Sequence, residues 1–168
     1  SEMCIRDSPM NAQAGDLLKV SDFVNHGTVD GTWSVGTAAY DKRGVAAFVP
    51  AWDAENCIQC NKCAFVCPHA CIRPFVLDEA EKAGFNEPTL DILAPKQLKG
   101  MQFRIEVSVL DCTGCGNCAD VCPGKKGNKA LSMTQFVAGE EEATRRAADW
   151  NYLVKNVKSK QNLVDIKP

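Results

Sequence analysis

The sequence predicts an α+β fold built on an internal duplication, and three observations carry that prediction. A cysteine motif occurs twice, at Cys57, Cys60, Cys63, Cys67 and Pro68 and again at Cys112, Cys115, Cys118, Cys122 and Pro123, each cysteine 55 residues after its counterpart. From Met101 to Val109 apolar and polar residues alternate strictly, the period-2 mark of a half-buried strand. Beyond Gly139 the chain reads as a helix, with Glu140, Glu141 and Glu142 in a first turn whose free amides favour negative charge. Glu141 with Arg145, and Glu142 with Arg146, stand at i,i+4 spacing.

The elements follow in order. Residues 1–15 show no periodicity and read as non-native or disordered, Cys4 included. Residues 16–50, rich in Gly, Thr and Val with turn signals at Asp30-Gly31 and Arg43-Gly44, read as an extended connecting arm. Its end, Val45 to Val49, is predicted as a strand leading into the first cysteine loop. Within the duplicated unit, 51–138, Ile72 to Leu77 leaves that loop extended, and Asp78 to Ala83 forms one or two helical turns stopped by Gly84. Pro88 to Pro95 is loop. The alternating strand then delivers Asp111 and Cys112 to the second loop, and Leu131, Met133 and Gln135 continue as a shorter strand. The 44 residues from Pro68 through Asp111 exceed what a minimal duplicated unit needs, which marks an insertion and points to a larger host. In the last part, 139–168, Trp150, Tyr152, Leu153, Val154 and Val157 form an apolar stripe too small for its own core, expected to dock on a neighbour as a linker.

The doubled C-x2-C-x2-C-x3-C-P run is the bacterial signature for two 4Fe-4S clusters. A close triplet wraps three corners of one cubane, and the fourth cysteine serves the other cluster. The ligand sets are therefore crossed: Cys57, Cys60, Cys63 and Cys122 for one cluster, and Cys112, Cys115, Cys118 and Cys67 for the other. Strand, cluster loop, short helix and strand, twice over, make a duplicated bacterial ferredoxin-like domain. Loops that turn amides toward sulfur need left-handed backbone, which Gly114 and Gly116 adopt without strain and Asn61, at the place of Gly116, tolerates. Pro68 and Pro123 stiffen the exits. Two other readings of the cysteines fit less well: structural zinc, which is held by paired C-x2-C knuckles rather than triplets with a trailing C-P, and a disulfide framework, which belongs to small secreted domains. Cys71, outside the pattern, reads as a buried packing thiol.

A formal charge of −2, made more negative by loaded clusters, together with scattered basic residues, excludes nucleic acid as a partner. No apolar run reaches the length of a membrane span, so the chain reads as soluble with no membrane partner. No catalytic residue is identified. GKKGNK (124–129) lacks the G-K-[ST] ending of a phosphate loop. Lys62, Lys125, Lys126 and Lys129 lie near the loops; Lys125 and Lys126 are candidates for docking an acidic electron acceptor, against the plainer reading of a solvated loop. His69, beside Pro68, reads as an exposed or core histidine, and His26 carries no reading.

AAYDKRG (38–44), VPAWDAENCIQCNKCAFVCPHACIRP (49–74), DCTGCGNCADVCPGKKGNKAL (111–131) and WNYLVKNVKSKQNLVD (150–165), in that order, resemble consecutive parts of pyruvate:ferredoxin (flavodoxin) oxidoreductase. The resemblance covers about residues 16–168. It implies a connecting region, where the family often has EKR and this chain has Asp41-Lys42-Arg43, then the two-cluster ferredoxin domain, then the link to a thiamine diphosphate domain. It further implies an enzyme that oxidatively decarboxylates pyruvate to acetyl-CoA and CO2, in which this segment passes electrons to ferredoxin or flavodoxin. Thiamine diphosphate, magnesium and a third 4Fe-4S cluster are expected in other parts of the host, itself a cytoplasmic homodimer by the same resemblance. A free-standing two-cluster ferredoxin is the alternative.

Overall fold

Residues 8–25, 29–31, 36 and 42–164 are described by the computed structural model; Cys4, His26 and Asp41 lie outside them. The chain divides into two units, 1–41 and 42–168. The first carries a helical turn at 8–11, a 3-10 turn at Gly15–Leu17 and a helix, α1 (Val20–Asn25). The arm is therefore not extended throughout. Leu17 to Val24 contains neither Gly nor Pro, and the Asp22 carboxylate accepts the Lys19 N–H at 2.8 Å, satisfying an amide at the helix start.

The second unit is organised by strand pairing across the duplication. β1 (Phe48–Trp52) and α2 (Lys62–Phe65) frame the first loop, followed by β2 (Ile72–Leu77), α3 (Glu79–Ala83) and β3 (Leu90–Asp91). β4 (Gln102–Val107) and α4 (Asn117–Asp120) frame the second loop, followed by β5 (Leu131–Gln135) and α5 (Glu141–Asn156). β1 pairs antiparallel with β5, Trp52 opposite Leu131, while β4 lies between β2 and β3, Val107 opposite Ile72. Each sheet thus joins the strand entering one cysteine loop to the strand leaving the other. β1 begins three residues later than the predicted strand. Its ladder with β5 starts at Phe48, and Gly44 at φ +60° instead donates its N–H to Leu110 O. β3 is a two-residue strand inside the predicted 88–95 loop.

α3 forms where expected. Asp78 accepts the Glu81 N–H while the Glu81 carboxylate accepts the Asp78 N–H, a reciprocal capping box, and Gly84 ends the helix. α5 departs from its expected charge pairs. Arg145 bonds Glu142, Glu87 and Asp149 rather than Glu141, and Arg146 is drawn inward to donate to Pro50 O at 2.6 Å. Burial lowers the pKa of that guanidinium. The apolar stripe of α5 docks on the insertion of its own unit: Leu153 is fully buried with Leu77 and Phe85, and Trp150 meets the edge of the Phe75 ring. The chain beyond α5 returns to α3, where Lys160 Nζ bonds Glu81 and Asp78. Although burial opposes it, the Lys158 N–H, Lys160 and the Asp78 N–H hold the Glu81 carboxyl below its usual range.

β4 corrects the half-buried reading. Phe103, Ile105 and Val107 enter the main core with Val49, Ile72 and Leu131, yet Arg104, Glu106 and Ser108 on the other face are also buried. Arg104 satisfies that face: Nε and Nη2 bond Glu106 Oε2 at 2.9 and 2.7 Å, and Nη1 donates to Pro88 O. Alternation records which side of a strand is polar. It does not record that a helix will cover that side.

Candidate metal centre

Both cysteine loops adopt the same local structure for the same physical reason. Gln59 and Gly114, two residues after the first cysteine of each triplet, have positive φ (57° and 73°) and aim their N–H groups at Cys57 Sγ and Cys112 Sγ, 3.4 Å in each case. Asn61 (φ 58°) and Gly116 (φ 81°) then make the left-handed turn that opens α2 and α4. Asn61 and both glycines were legible in the sequence; Gln59 was not. Its conformation, costly for a residue with a side chain, is held by the insertion: Gln59 Nε2 donates to Asp91 O and Oε1 accepts the Leu93 N–H. After the second motif, Gly124 (φ 59°) turns into a small Lys125–Asn128 hairpin, where an added Cβ would sit 1.7 Å from Asn128 O. Gly124→Ala should therefore displace the backbone beside Cys122, and the chain should lose iron faster to a chelator than wild type does; equal rates would show that the hairpin moves freely.

Pairing across the halves decides which cysteines meet. Asp53 N–H donates to Ala130 O at 2.8 Å, bringing the exit of the second motif beside the entry of the first, and Ser108 N–H donates to Cys71 O at 2.7 Å, doing the converse. One cavity is lined by Cys57, Cys60, Cys63 and Cys122. The other is lined by Cys67, Cys112, Cys115 and Cys118, with Cys71 in its wall. Among the described residues no three His, Cys, Asp or Glu side chains gather closely enough for a single metal ion. Each quartet surrounds a space instead.

The donor set suits a polynuclear sulfur cluster. Cys63 and Cys118 are buried, Cys60 and Cys115 face solvent, and all nine described cysteines are unpaired thiols. Burial pushes Cys63 up to about 12 and Cys118 up to about 11, so these thiols hold their protons until a metal displaces them. The neighbouring Cys71 thiol draws Cys112 down, while Cys112, burial and Cys67 push Cys71 up. Cys122 Sγ accepts the Ala130 N–H at 3.3 Å. Among the described residues two buried side-chain polar atoms lack partners, Trp52 Nε1 and Asn61 Oδ1, and both residues line the first cavity, where sulfide and thiolate acceptors would offer the indole N–H a partner. His69 is exposed at the rim of the second cavity. Lys125 and Lys126 are exposed, whereas Lys129 Nζ bonds Ala119 O and Asp120 O at the end of α4.

A family model described as a 4Fe-4S dicluster domain matches residues 56–126. The chain carries a 4Fe-4S dicluster domain. A second model, EKR, described as a domain of unknown function, matches residues 7–46 ahead of the dicluster domain. The chain is 51% identical over 146 residues to the pyruvate:ferredoxin oxidoreductase of Moorella thermoacetica, covering 86% of this chain and 12% of that protein. It is 50% identical over 141 residues to the pyruvate-flavodoxin oxidoreductase of Enterobacter agglomerans, covering 80% and 11%. With the mitochondrial pyruvate dehydrogenase [NADP(+)] of Euglena gracilis it shares 43% over 148 residues, 88% of this chain and 8% of that protein. The chain spans about an eighth or less of the length of each of these relatives. Among the described residues no helix is long and apolar enough to cross a membrane.

Proposed function

We propose that this chain is the two-cluster electron relay of a pyruvate:ferredoxin (flavodoxin) oxidoreductase. Cys57, Cys60, Cys63 and Cys122 hold one 4Fe-4S cluster, and Cys67, Cys112, Cys115 and Cys118 hold the other. The observation that carries this reading is the pairing of β1 with β5 and of β2 with β4, which gathers a triplet from one half and a single thiolate from the other around each cavity. A bound cluster supplies one-electron storage at a potential set by charge, hydrogen bonds to sulfur and exposure. The protein supplies the rest: loop amides directed at Cys57 and Cys112, apolar walls from Ile105, Val107 and Leu131, and solvent-facing edges at Cys60 and Cys115 where electrons can enter and leave. The homologous segment is shared with relatives whose names carry ferredoxin, flavodoxin or NADP(+) and all carry pyruvate, so the substrate assigned is pyruvate, converted to acetyl-CoA and CO2. Thiamine diphosphate, magnesium and a third cluster are assigned to other parts of the host, and the unpaired thiols suit a reducing compartment, the cytoplasm.

Anaerobic loading tests the reading. The chain should take up about eight iron and eight sulfide, turn brown and bleach on reduction, with a paramagnetic resonance spectrum of two interacting clusters. A colourless protein binding zinc in place of iron contradicts it. Lys125 and Lys126, exposed in the hairpin beside Cys122, are proposed to dock an acidic acceptor such as ferredoxin or flavodoxin. Reversing both to Glu should slow acceptor reduction by the whole enzyme by about tenfold at low salt, with the difference fading as salt rises. An unchanged rate at low salt removes these lysines from the docking site.

A further inference from the structure

The duplication lets each position around one cavity be compared with its counterpart around the other. Cys71 O accepts the Ser108 N–H, and Ala130 O accepts the N–H of Asp53, 55 residues before Ser108. Cys71 directly precedes β2, and Ala130 directly precedes β5. The two residues are therefore structural equivalents, and both are buried, at 5% and 3% exposure. A methyl group fills this position in one half, so packing alone does not call for sulfur in the other.

The sulfur of Cys71 is nevertheless placed with direction. It lies 3.5 Å from Cys67 Sγ and lines the cavity that Cys67 and Cys112 help to enclose. Cys67 and Cys112 belong to the same proposed quartet, which already has four sulfurs. The fourth cysteines of the two sites thus differ in their neighbours: Cys122 Sγ accepts the backbone N–H of Ala130, whereas Cys67 Sγ meets the Cys71 sulfur, in a pair where either thiol can donate. An S–H group is a weak donor in water, but a buried hydrogen bond to an anionic sulfur gains from the low local dielectric.

We propose that Cys71 is a non-ligating thiol that donates its S–H to Cys67, the borrowed sulfur of the second quartet, and makes that cluster the more easily reduced of the two. The inference rests on the two-cluster reading above. A proton shared with a ligand sulfur offsets the added negative charge of the reduced state more than that of the oxidised state, which raises the potential. Two pseudosymmetric sites acquire different electron affinities from one side chain, and a relay between them gains a direction.

The test is a reductive titration of the cluster-loaded full chain followed by paramagnetic resonance, with iron and sulfide counted in parallel. Cys71→Ala copies the residue found at the equivalent position, and Cys71→Ser keeps a donor. Cys71→Ala should retain about eight iron while one of the two reduction equilibrium constants falls about tenfold, about 59 mV for a one-electron couple, and the other stays put. Cys71→Ser should stay within about threefold of wild type. The proposal is overturned if neither constant moves in Cys71→Ala, if both move together, or if iron falls toward about four, which would make Cys71 a ligand. Failure of the wild-type chain to load about eight iron would instead strike the two-cluster reading itself, so the two failures are distinguishable.

Discussion

Replacing Cys122 by alanine should cost the chain the cluster of the first motif, not that of its own. Iron should fall from about eight to about four per chain. The expectation follows from strand pairing: Asp53 N–H on Ala130 O binds the exit of the second loop to the entry of the first, and Cys122 shares its cavity with Cys57, Cys60 and Cys63. A double variant makes the assignment decisive, because residues acting in one unit are not additive. Cys57→Ala with Cys122→Ala should lose no more iron than either change alone, whereas Cys57→Ala with Cys67→Ala should strip both clusters. If instead the first pair strips both, each motif fills its own cage and the crossed assignment is wrong.

The second large effect is expected at Arg104. Its guanidinium and the Glu106 carboxylate form a pair with side chains only 10% and 4% exposed. Arg104 also lies over the Trp52 and Phe85 rings, at 5.1 and 5.4 Å, tying the insertion to the first half of the domain. Arg104→Met keeps much of the apolar stem but leaves Glu106 buried, its remaining bond a single N–H from Val107. Breaking such a pair from one side costs about 3–5 kcal/mol, since an uncompensated charge stays behind. Urea unfolding of the loaded chain, followed by far-ultraviolet circular dichroism, should show a loss of that size. Adding Glu106→Leu should recover most of it, because replacing both partners removes the stranded charge. A loss under about 1 kcal/mol in Arg104→Met would mean that water reaches the pair and that α5 does not seal this face.

Legibility in the sequence follows the range of the interactions. The loops at Gly114, Gly116 and Asn61 were readable because a left-handed residue is a local demand that few residue types meet, and α3 was readable from the stretch Asp78 to Ala83 and its stop at Gly84. Gln59 escaped because its strain is relieved by Asp91 and Leu93, more than thirty residues away. The pairs expected on α5 assumed a solvated helix. Arg146 turned toward Pro50 because the buried polar face of β4 lies beneath it. The sequence marks Cys71 as a packing thiol, and its burial agrees, but only the folded position of Ala130 reveals that a methyl group would serve for packing.

The order and spacing of cysteines, glycines and prolines determined by themselves the number of cages, the residue types that line them and the bend of each loop, since all of these are settled within about ten residues of chain. Tertiary structure alone decided that β1 finds β5 and β2 finds β4, that α5 lies over the charged side of β4, and that the Cys71 sulfur comes to rest against Cys67. Those outcomes depend on which distant surfaces bury one another, and no short stretch of sequence carries that information.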